Sequence, residues 1–321
     1  MNALVTGVAG FIGSTLAGRL LDSGARVTGI DCFTDYYPRA AKQANLAPLR
    51  DHARFRLVEE RLQDAELKHH LEGAAAVFHL AAQAGVRASW GREFAHYTEH
   101  NVLATQRLLE AALEAGRPRI VYASSSSVYG DAPVLPLRED GPCRPVSPYG
   151  VTKLAAEHLC LLYQRNHGVP AVALRFFTVY GPRQRPDMAF HRLLAAVLEG
   201  GTFEVYGDGR QSRDFTFVDD AVAAVLAAAE RGRPGAVYNV ASGQALPLLE
   251  AVAVAGRLAG AAPRLEFRPP VAGDAPHTAA DIARAATDLG YAPRTPLAAG
   301  LAAQWEWQRG ARAAAAAGGS P

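Results

Sequence analysis

The sequence is poor in several residue types that mark particular classes of protein. It has only three cysteines among 321 residues, at positions 32, 143 and 160, without a CxxC pair and without histidines at zinc-like spacing. We therefore expect neither a disulfide framework nor a metal site. No apolar run approaches the ~18 residues that cross a membrane, and no basic leader opens the chain. These absences predict a cytoplasmic protein without a membrane partner.

An excess of charge of either sign is also lacking. Lys plus Arg total 33 and Asp plus Glu total 31, which gives a formal net charge of +2. This balance gives no reason to expect nucleic acid as a partner, so any anion must be bound by a few local groups. Hydrophobic residues make up 49% of the chain, which is typical of a globular protein, and the length allows two domains.

The first half of the chain alternates between short apolar segments and longer amphipathic ones. Strands are predicted at residues 2–6, 26–31, 53–58, 75–80, 118–124 and 171–175, with helices between them. Apolar strands separated by helices are typical of a parallel sheet covered on both faces. We therefore predict a doubly wound α/β domain over residues 1–175, with a returning segment near residues 215–241.

The alternating pattern ends after Phe176. Residues 176–309 are predicted to form mainly a smaller α+β lobe that binds the substrate. Further strands are predicted at 203–206, 215–218, 236–240 and 264–267. A cleft between two lobes is the default ligand site. Residues 310–321 are low in complexity and are predicted to be a flexible tail.

A glycine-rich turn follows the first predicted strand. Gly7, Gly10 and Gly13 are spaced as GxxGxxG and lead into a helix. Such glycines permit a tight turn and a close approach of the backbone to a pyrophosphate. Asp31 ends the second predicted strand, where a carboxylate accepts ribose hydroxyls and repels a 2′-phosphate. Together these features predict a Rossmann-type domain that binds NAD rather than NADP, although a glycine turn alone would be weak evidence.

A second group of residues indicates proton transfer. Tyr149 and Lys153 lie four residues apart at the start of a helical pattern and would share one helix face. An ammonium beside a phenol favours the phenolate, so Tyr149 can become a base. The hydroxyls of Ser124–Ser127 follow a predicted strand, at the sheet edge where ligands bind, and can orient a sugar hydroxyl.

Taken together, these motifs resemble the extended short-chain dehydrogenase/reductase family of NAD-dependent nucleotide-sugar epimerases and dehydratases. The resemblance covers nearly the whole chain. It implies a tightly held NAD, with Tyr149 as base on the sugar C4 hydroxyl, Lys153 tuning it, and Ser125 and Ser127 orienting the C4 oxygen. The cofactor-binding residues that it implies are Gly7, Gly10, Phe11, Ile12, Gly13, Asp31, Leu62, Leu80, Ala81, Ala82, Gln83, Asn101, Tyr149 and Lys153.

Within that family, the chain looks most like the UDP-glucuronate 4-epimerases. Dehydratases of that family carry Asp-Glu at the positions of Ser126 and Ser127, and its decarboxylases carry Glu at the position of Ser127, so the resemblance leaves 4-epimerisation. The segment from Thr178 through Arg185 to Met188 is the most selective part, and the planar guanidinium of Arg185 suits a C6 carboxylate. The implied substrate-binding residues are Arg87, Ser125, Ser126, Ser127, Thr178, Arg185, Met188, Gln211, Arg213 and Asp274.

Several alternatives remain open from the sequence. The chain could be a UDP-glucose or UDP-N-acetylhexosamine 4-epimerase, a decarboxylase, or a non-catalytic NAD-binding sensor of the same fold. Arg61 stands where relatives usually have an aspartate that contacts adenine, while His79 on an apolar strand is expected to be structural. Apolar stripes around residues 97–114 and 149–167 suit a homodimer built as a four-helix bundle, as the family commonly forms.

Overall fold

The structure is a computed structural model that describes residues 1–318. The strands are β1 (Asn2–Thr6), β2 (Arg26–Ile30), β3 (Phe55–Val58), β4 (Ala76–His79), β5 (Arg119–Ser125), β6 (Ala171–Phe176), β7 (Thr178–Tyr180), β8 (Thr202–Tyr206), β9 (Ser212–Phe217), β10 (Val237–Val240), β11 (Ala245–Pro247) and β12 (Arg264–Arg268). The helices are α1 (Phe11–Asp22), α2 (Arg39–Leu46), α3 (Leu67–Leu71), α4 (Phe94–Tyr97), α5 (Ala104–Glu114), α6 (Pro148–His167), α7 (Ala189–Glu199), α8 (Val218–Arg231), α9 (Leu248–Ala259), α10 (Ala283–Leu289) and α11 (Leu297–Gly318).

A seven-stranded parallel sheet forms the centre of the molecule. Its strand order is β10-β6-β5-β4-β1-β2-β3. Six of these strands coincide, within a few residues, with the strands predicted for the first half of the chain. The doubly wound, Rossmann-type α/β fold is thereby confirmed. The seventh strand comes from the second half of the chain: Val237–Val240 pairs in parallel with residues 173–176 of β6.

Helices cover both faces of this sheet, which explains why its strands are almost continuously apolar. On one face, Leu16 and Leu20 of α1 belong to the same buried cluster as Val222 of α8. On the other face, Leu108 of α5 lies in a cluster with Ala156 of α6. The sheet is therefore packed against helices on both faces.

The smaller lobe contains two short sheets. One has the order β11-β9-β7, and the other pairs β8 with β12. Helix α11 continues from Leu297 to Gly318, so the structure is helical over residues 310–318, where the composition predicts a flexible tail. The last residues of that predicted tail, 319–321, lie outside the described residues. No helix of the described part of the chain is long and apolar enough to span a membrane.

Candidate active site

A cavity of about 1500 Å³ lies between the carboxyl edge of the main sheet and the smaller lobe. Both lobes contribute to its walls: Gly7 and Asp31 come from the first, and Thr178 and Arg213 come from the second. Every site residue predicted from the sequence lines this cavity except Asn101. One continuous space therefore joins the glycine turn, the Tyr149–Lys153 pair and the residues predicted to bind the substrate.

The glycine turn between β1 and α1 leaves no room for side chains. Gly7 has φ +70°, and a Cβ there would lie 2.8 Å from the backbone nitrogen of Ala81. A Cβ on Gly13 would lie 2.2 Å from the carbonyl oxygen of Gly7. Gly10 precedes α1 and has no side chain with which to cap it, so the first amides of this 12-residue helix are left for a ligand. The turn has the form that a pyrophosphate requires.

Asp31 is held at the end of β2 by two backbone amides. Its Oδ2 accepts from Ala9 N at 2.9 Å and its Oδ1 from Phe33 N at 2.8 Å. Burial raises the pKa of this carboxyl, and the amide bonds and the charge of Lys42 act against that rise. Lys42, which the sequence did not single out, also lines the cavity and donates from Nζ to Thr34 O at 2.7 Å.

Asn101 lies behind the cavity wall rather than in it. Its Oδ1 accepts from Gln83 N at 2.7 Å, and its Nδ2 donates to Gln83 O at 3.0 Å. The same Nδ2 donates to Thr152 Oγ1 at 2.9 Å. This side chain therefore fixes the backbone of Gln83, which lines the cavity, and the cofactor contact predicted for Asn101 stays a prediction.

His79 is enclosed by two threonines at the end of β4. Its Nδ1 lies 2.8 Å from Thr6 Oγ1 and its Nε2 lies 2.9 Å from Thr105 Oγ1. Burial, followed by the charge of Lys153, lowers its pKa to about 3. A neutral imidazole with both nitrogens engaged fits the structural role predicted for it.

Tyr149 and Lys153 both face the cavity from the first turns of α6. The helix starts where Ser147 Oγ accepts from Gly150 N at 3.1 Å, with Pro148 in the first turn. Burial lowers the pKa of Lys153 to about 7, and its Nζ lies 4.5 Å from the centre of the Tyr122 ring. Lys153 is 3% exposed and lines the cavity, so its Nζ is placed to meet a ligand there.

The pKa of Tyr149 depends on groups other than the predicted lysine. Burial raises it, and the Ser125 hydroxyl and the charge of Arg185 pull it down. The sequence assigns this lowering to Lys153. The structure instead brings Arg185 from the smaller lobe close enough to Tyr149 for its charge to matter. The phenol and the guanidinium therefore act on the same part of the cavity.

A buried ion pair supports the serine segment from behind. Arg175 Nη2 lies 2.6 Å from Glu157 Oε1, and its Nε lies 3.1 Å from Oε2. Ser124 Oγ donates to the same carboxylate at 2.5 Å. Sequence reasoning missed this pair, although an arginine inside the apolar run of β6 was a signal that a buried partner exists. The network links β5, β6 and α6 at the carboxyl edge of the main sheet. Ser125 and Ser127, which follow Ser124, line the cavity at this edge.

Arg185 is already paired with a neighbouring acid. Its Nε lies 3.0 Å from Asp187 Oδ1 and its Nη2 lies 3.0 Å from Oδ2. Tyr36, from the first lobe, donates to Asp187 Oδ2 at 3.3 Å. Neither Asp187 nor Tyr36 was predicted from the sequence. Thr178 and Met188 line the cavity with them.

The remaining predicted arginines lie around the other end of the smaller lobe. Arg87 Nη2 lies 3.3 Å from Asp274 Oδ2, and its guanidinium stacks 3.9 Å above the Tyr206 ring. Arg213 donates from Nη1 to Ser212 O and Pro276 O. Gln211 donates to Tyr206 O at 2.9 Å and also lines the cavity. This cluster contains two guanidiniums and one carboxylate, so it retains a net positive charge for an anionic ligand.

One group of possible metal ligands was overlooked in the sequence. His96, Glu99 and His100 have ligand atoms within 4.8 Å of one another. The spacing places them on one helical face, contrary to the expectation that no histidines are so spaced. Glu99 already forms an ion pair with Arg61, whose side chain is absent from the cavity lining.

Comparison with known proteins finds one matching family and similar proteins named as epimerases. The model of the family described as "NAD dependent epimerase/dehydratase family" matches residues 3–241. A Bacillus subtilis protein named "Uncharacterized UDP-glucose epimerase YtcB" is 45% identical, covering 94% of this chain and 96% of its own.

Two solved structures are similar over almost the whole chain. The UDP-glucuronic acid 4-epimerase of Bacillus cereus, in complex with UDP-glucuronic acid and NAD, is 41% identical with a TM-score of 0.94, over 97% of this chain and 100% of that one. MoeE5 in complex with UDP-glucuronic acid and NAD is 45% identical with a TM-score of 0.88, over 97% and 100%. MoeE5 has also been solved with UDP-glucose and NAD.

Proposed function

Because the chain belongs to the NAD dependent epimerase/dehydratase family, we propose that it is a UDP-glucuronate 4-epimerase, interconverting UDP-glucuronate and UDP-galacturonate. At the coarser level it is an isomerase of the NAD-dependent UDP-sugar 4-epimerase family, and its cofactor is NAD. The observation that carries the finer proposal is the position of Arg185, which lines the same cavity as Tyr149 and Thr178 and offers a guanidinium suited to a C6 carboxylate.

The cavity residues fit NAD. The turn at Gly7 and Gly13 has no room for a Cβ, as a backbone that approaches a pyrophosphate requires. Asp31 presents a carboxylate suited to ribose hydroxyls, and the Nζ of Lys153 is available for the second ribose. When bound, NAD supplies the acceptor and donor of the hydride that leaves and returns to sugar C4.

The chain's own residues handle the proton at the C4 oxygen. Tyr149 accepts it at the phenolic oxygen when the hydroxyl becomes a ketone, and returns it after the sugar has turned. The Ser125 hydroxyl and the charge of Arg185 favour the phenolate, which opposes the effect of burial. Ser125 and Ser127 hold the C4 oxygen. The 4-keto sugar swings about its diphosphate linkage, within a cavity of about 1500 Å³, to present its other face.

A sugar acid creates a further requirement. Oxidation of its C4 makes a β-keto acid, which loses carbon dioxide when the C5–carboxylate bond lies parallel to the π system of the ketone. The guanidinium of Arg185, together with Thr178 and the serine hydroxyls, would hold that bond near the carbonyl plane. Ser127 offers no acid to assist elimination or decarboxylation. These groups support epimerisation rather than loss of the carboxylate.

A neutral sugar is the second candidate, favoured by one observation. The charge of Arg185 is compensated by Asp187 at 3.0 Å, so net charge alone does not select an acid here, and any preference for one must come from the geometry of the guanidinium. The relative named as a UDP-glucose epimerase and the UDP-glucose complex of MoeE5 point the same way. A UDP-glucose 4-epimerase would use the same Tyr149 chemistry.

The test is to incubate the purified protein, without added NAD, with UDP-glucuronate and separately with UDP-glucose, and to follow products by NMR. We expect UDP-galacturonate from the acid, without UDP-pentose. Conversion of only the neutral sugar would overturn the proposed substrate while leaving the epimerase chemistry intact. Release of carbon dioxide would indicate a decarboxylase. NAD binding without turnover of either sugar would indicate a sensor.

We also propose a homodimer. Leu103 lies just before α5, and Val151 and Leu162 lie on α6; all three are apolar side chains at least two fifths exposed. They belong to the segments whose apolar stripes suit a four-helix bundle. Sedimentation velocity at micromolar concentration tests this, and Leu162→Glu should shift the protein toward the monomer.

A further inference from the structure

Asp187 is a charged side chain of the cavity to which the mechanism above gives no role beyond compensating charge. It binds Arg185 through two parallel hydrogen bonds along one edge of the guanidinium, each 3.0 Å long. Burial pushes the pKa of Asp187 upward, but the bonds and charge of Arg185 hold it below its usual value. The carboxylate is therefore ionised, and the pair has no net charge.

The other contact of Asp187 comes from the first lobe. Tyr36 donates from Oη to Asp187 Oδ2 at 3.3 Å, and its ring lies 5.9 Å from the guanidinium of Arg185. Gly85 supports Tyr36 from below: it has φ +104°, and a Cβ there would lie 2.2 Å from the Tyr36 hydroxyl. The Tyr36 hydroxyl thus occupies space that is available because Gly85, after β4, has no side chain.

The backbone around Arg185 is anchored separately from its side chain. Gln184 donates from Nε2 to Val179 O at 3.1 Å, and its Oε1 accepts from His191 N at 2.9 Å. These bonds fix the loop but leave the long arginine side chain free to change rotamer. Within the described residues, Asp187 supplies both hydrogen bonds that hold the guanidinium. Without it, a ligand would have to order that side chain itself, which weakens binding.

We propose that Asp187, braced by Tyr36, is the positioning residue that fixes Arg185 against the sugar and thereby sets which group at sugar C6 the site prefers. The inference rests on the proposed function, because it assumes that Arg185 faces C6. With one edge of the guanidinium held by Asp187, the Nη1 amino group remains for the substrate. A fixed planar donor favours a carboxylate, whereas a mobile one loses that directional preference.

The test measures binding and product partition together. Dissociation constants for UDP-glucuronate and UDP-glucose are measured by calorimetry on NAD-loaded wild type, Asp187→Ala, Asp187→Asn and Tyr36→Phe. For Asp187→Ala we expect about tenfold weaker binding of the acid and less than about threefold for the neutral sugar. Asp187→Asn should fall between, and Tyr36→Phe should shift the ratio in the same direction by about two- to fourfold. The share of UDP-pentose formed from the acid should rise in the same order.

A double-mutant cycle distinguishes positioning from direct contact. If Asp187 acts through Arg185, adding Asp187→Ala to Arg185→Ala should change the acid-to-neutral ratio no further. The exposed Asp51→Asn is the matched control and should leave the ratio unchanged. Additive effects, or equal weakening of both sugars in Asp187→Ala, would overturn the proposal. Should that variant not fold, Asp187→Asn and Tyr36→Phe carry the test by the same criterion.

The two proposals fail in different ways. If wild type binds UDP-glucuronate without epimerising it, the proposed function is wrong. The ratio of the dissociation constants for the two sugars still tests the role of Asp187 in that case. If wild type converts the acid but the ratio is the same in all variants, the proposed function stands and the role of Asp187 is wrong.

Discussion

The two ends of the cavity are made in different ways. At the cofactor end, geometry comes from backbone: a turn without room for side chains at Gly7 and Gly13, and Asp31 held by two amides. At the sugar end, it comes from charged side chains, since Arg185 is fixed by Asp187 and a tyrosine of the other lobe.

This difference separates two kinds of vulnerability. A site built from backbone fails when an added atom has no space, whereas a site built from ion pairs fails when one partner is removed and the other is left buried. Substitutions at the backbone-built cofactor end should therefore lower the content of bound NAD. Substitutions in the ion pairs of the sugar end should change substrate preference and stability. The following variants test that division.

The largest effect is expected from Tyr149→Phe, which removes the hydroxyl that handles the proton of the sugar C4 oxygen. Losing the hydroxyl removes the base, so kcat should fall by roughly 10²–10⁴-fold while the bound NAD is retained. Turnover of UDP-sugars by NMR and the absorbance of released NAD measure the two separately. Tyr163→Phe, on the same helix and bonded to Glu110, is the control. Loss of NAD from Tyr149→Phe would show that the two ends are not independent.

Glu157→Gln tests the side-chain support behind Ser124. The substitution leaves the buried guanidinium of Arg175 without its counter-charge, so the free energy of unfolding should fall by about 3–5 kcal/mol. Urea unfolding measures it. Glu306→Gln breaks an exposed pair with Arg309 and should cost at most about 1 kcal/mol. Similar losses in both variants would mean that the buried network does not depend on its charges.

Gly13→Ala tests the backbone end. The new Cβ would lie 2.2 Å from Gly7 O, so the turn must shift, which should cost about 1–3 kcal/mol and reduce the NAD content. Gly18→Ala, in the same helix, meets only Leu49 Cδ2 at 3.7 Å and should stabilise the protein by roughly 0.5–1 kcal/mol. Thermal unfolding and NAD content of the purified variants decide this. Full NAD content in Gly13→Ala would show that NAD binding does not depend on the space left by the glycine turn.

The same division explains what the sequence could predict. The turn at Gly7–Gly13, the strands and the Tyr149–Lys153 spacing are local signals, in which a few consecutive residues determine the geometry. Their positions around one cavity agree with the structure. Asp31 followed from the same logic, because it ends a strand next to the turn.

What the sequence could not predict depends on distant partners. Asp187 is visible in the sequence, but only the fold shows that it occupies Arg185 and meets Tyr36, 151 residues away. The pairing of Glu157 with Arg175 also requires that α6 and β6 be packed together. The hydrogen bonds of Asn101 to Gln83 and Thr152 could not be predicted for the same reason, since a resemblance carries over a residue but not the partners that it meets in the fold.

The smallest effect is expected from Arg61→Ala, at the position where relatives usually have an aspartate that contacts adenine. The side chain pairs with Glu99 and lies 3.6 Å from Asp64, while its neighbours Leu62 and Gln63 line the cavity. An exposed pair of this kind is worth about 0–1 kcal/mol. The dissociation constant for NAD, measured by calorimetry, should therefore change by less than about threefold. A tenfold change would mean that the adenine end relies on a charged side chain after all, and the contrast between the two ends would no longer hold.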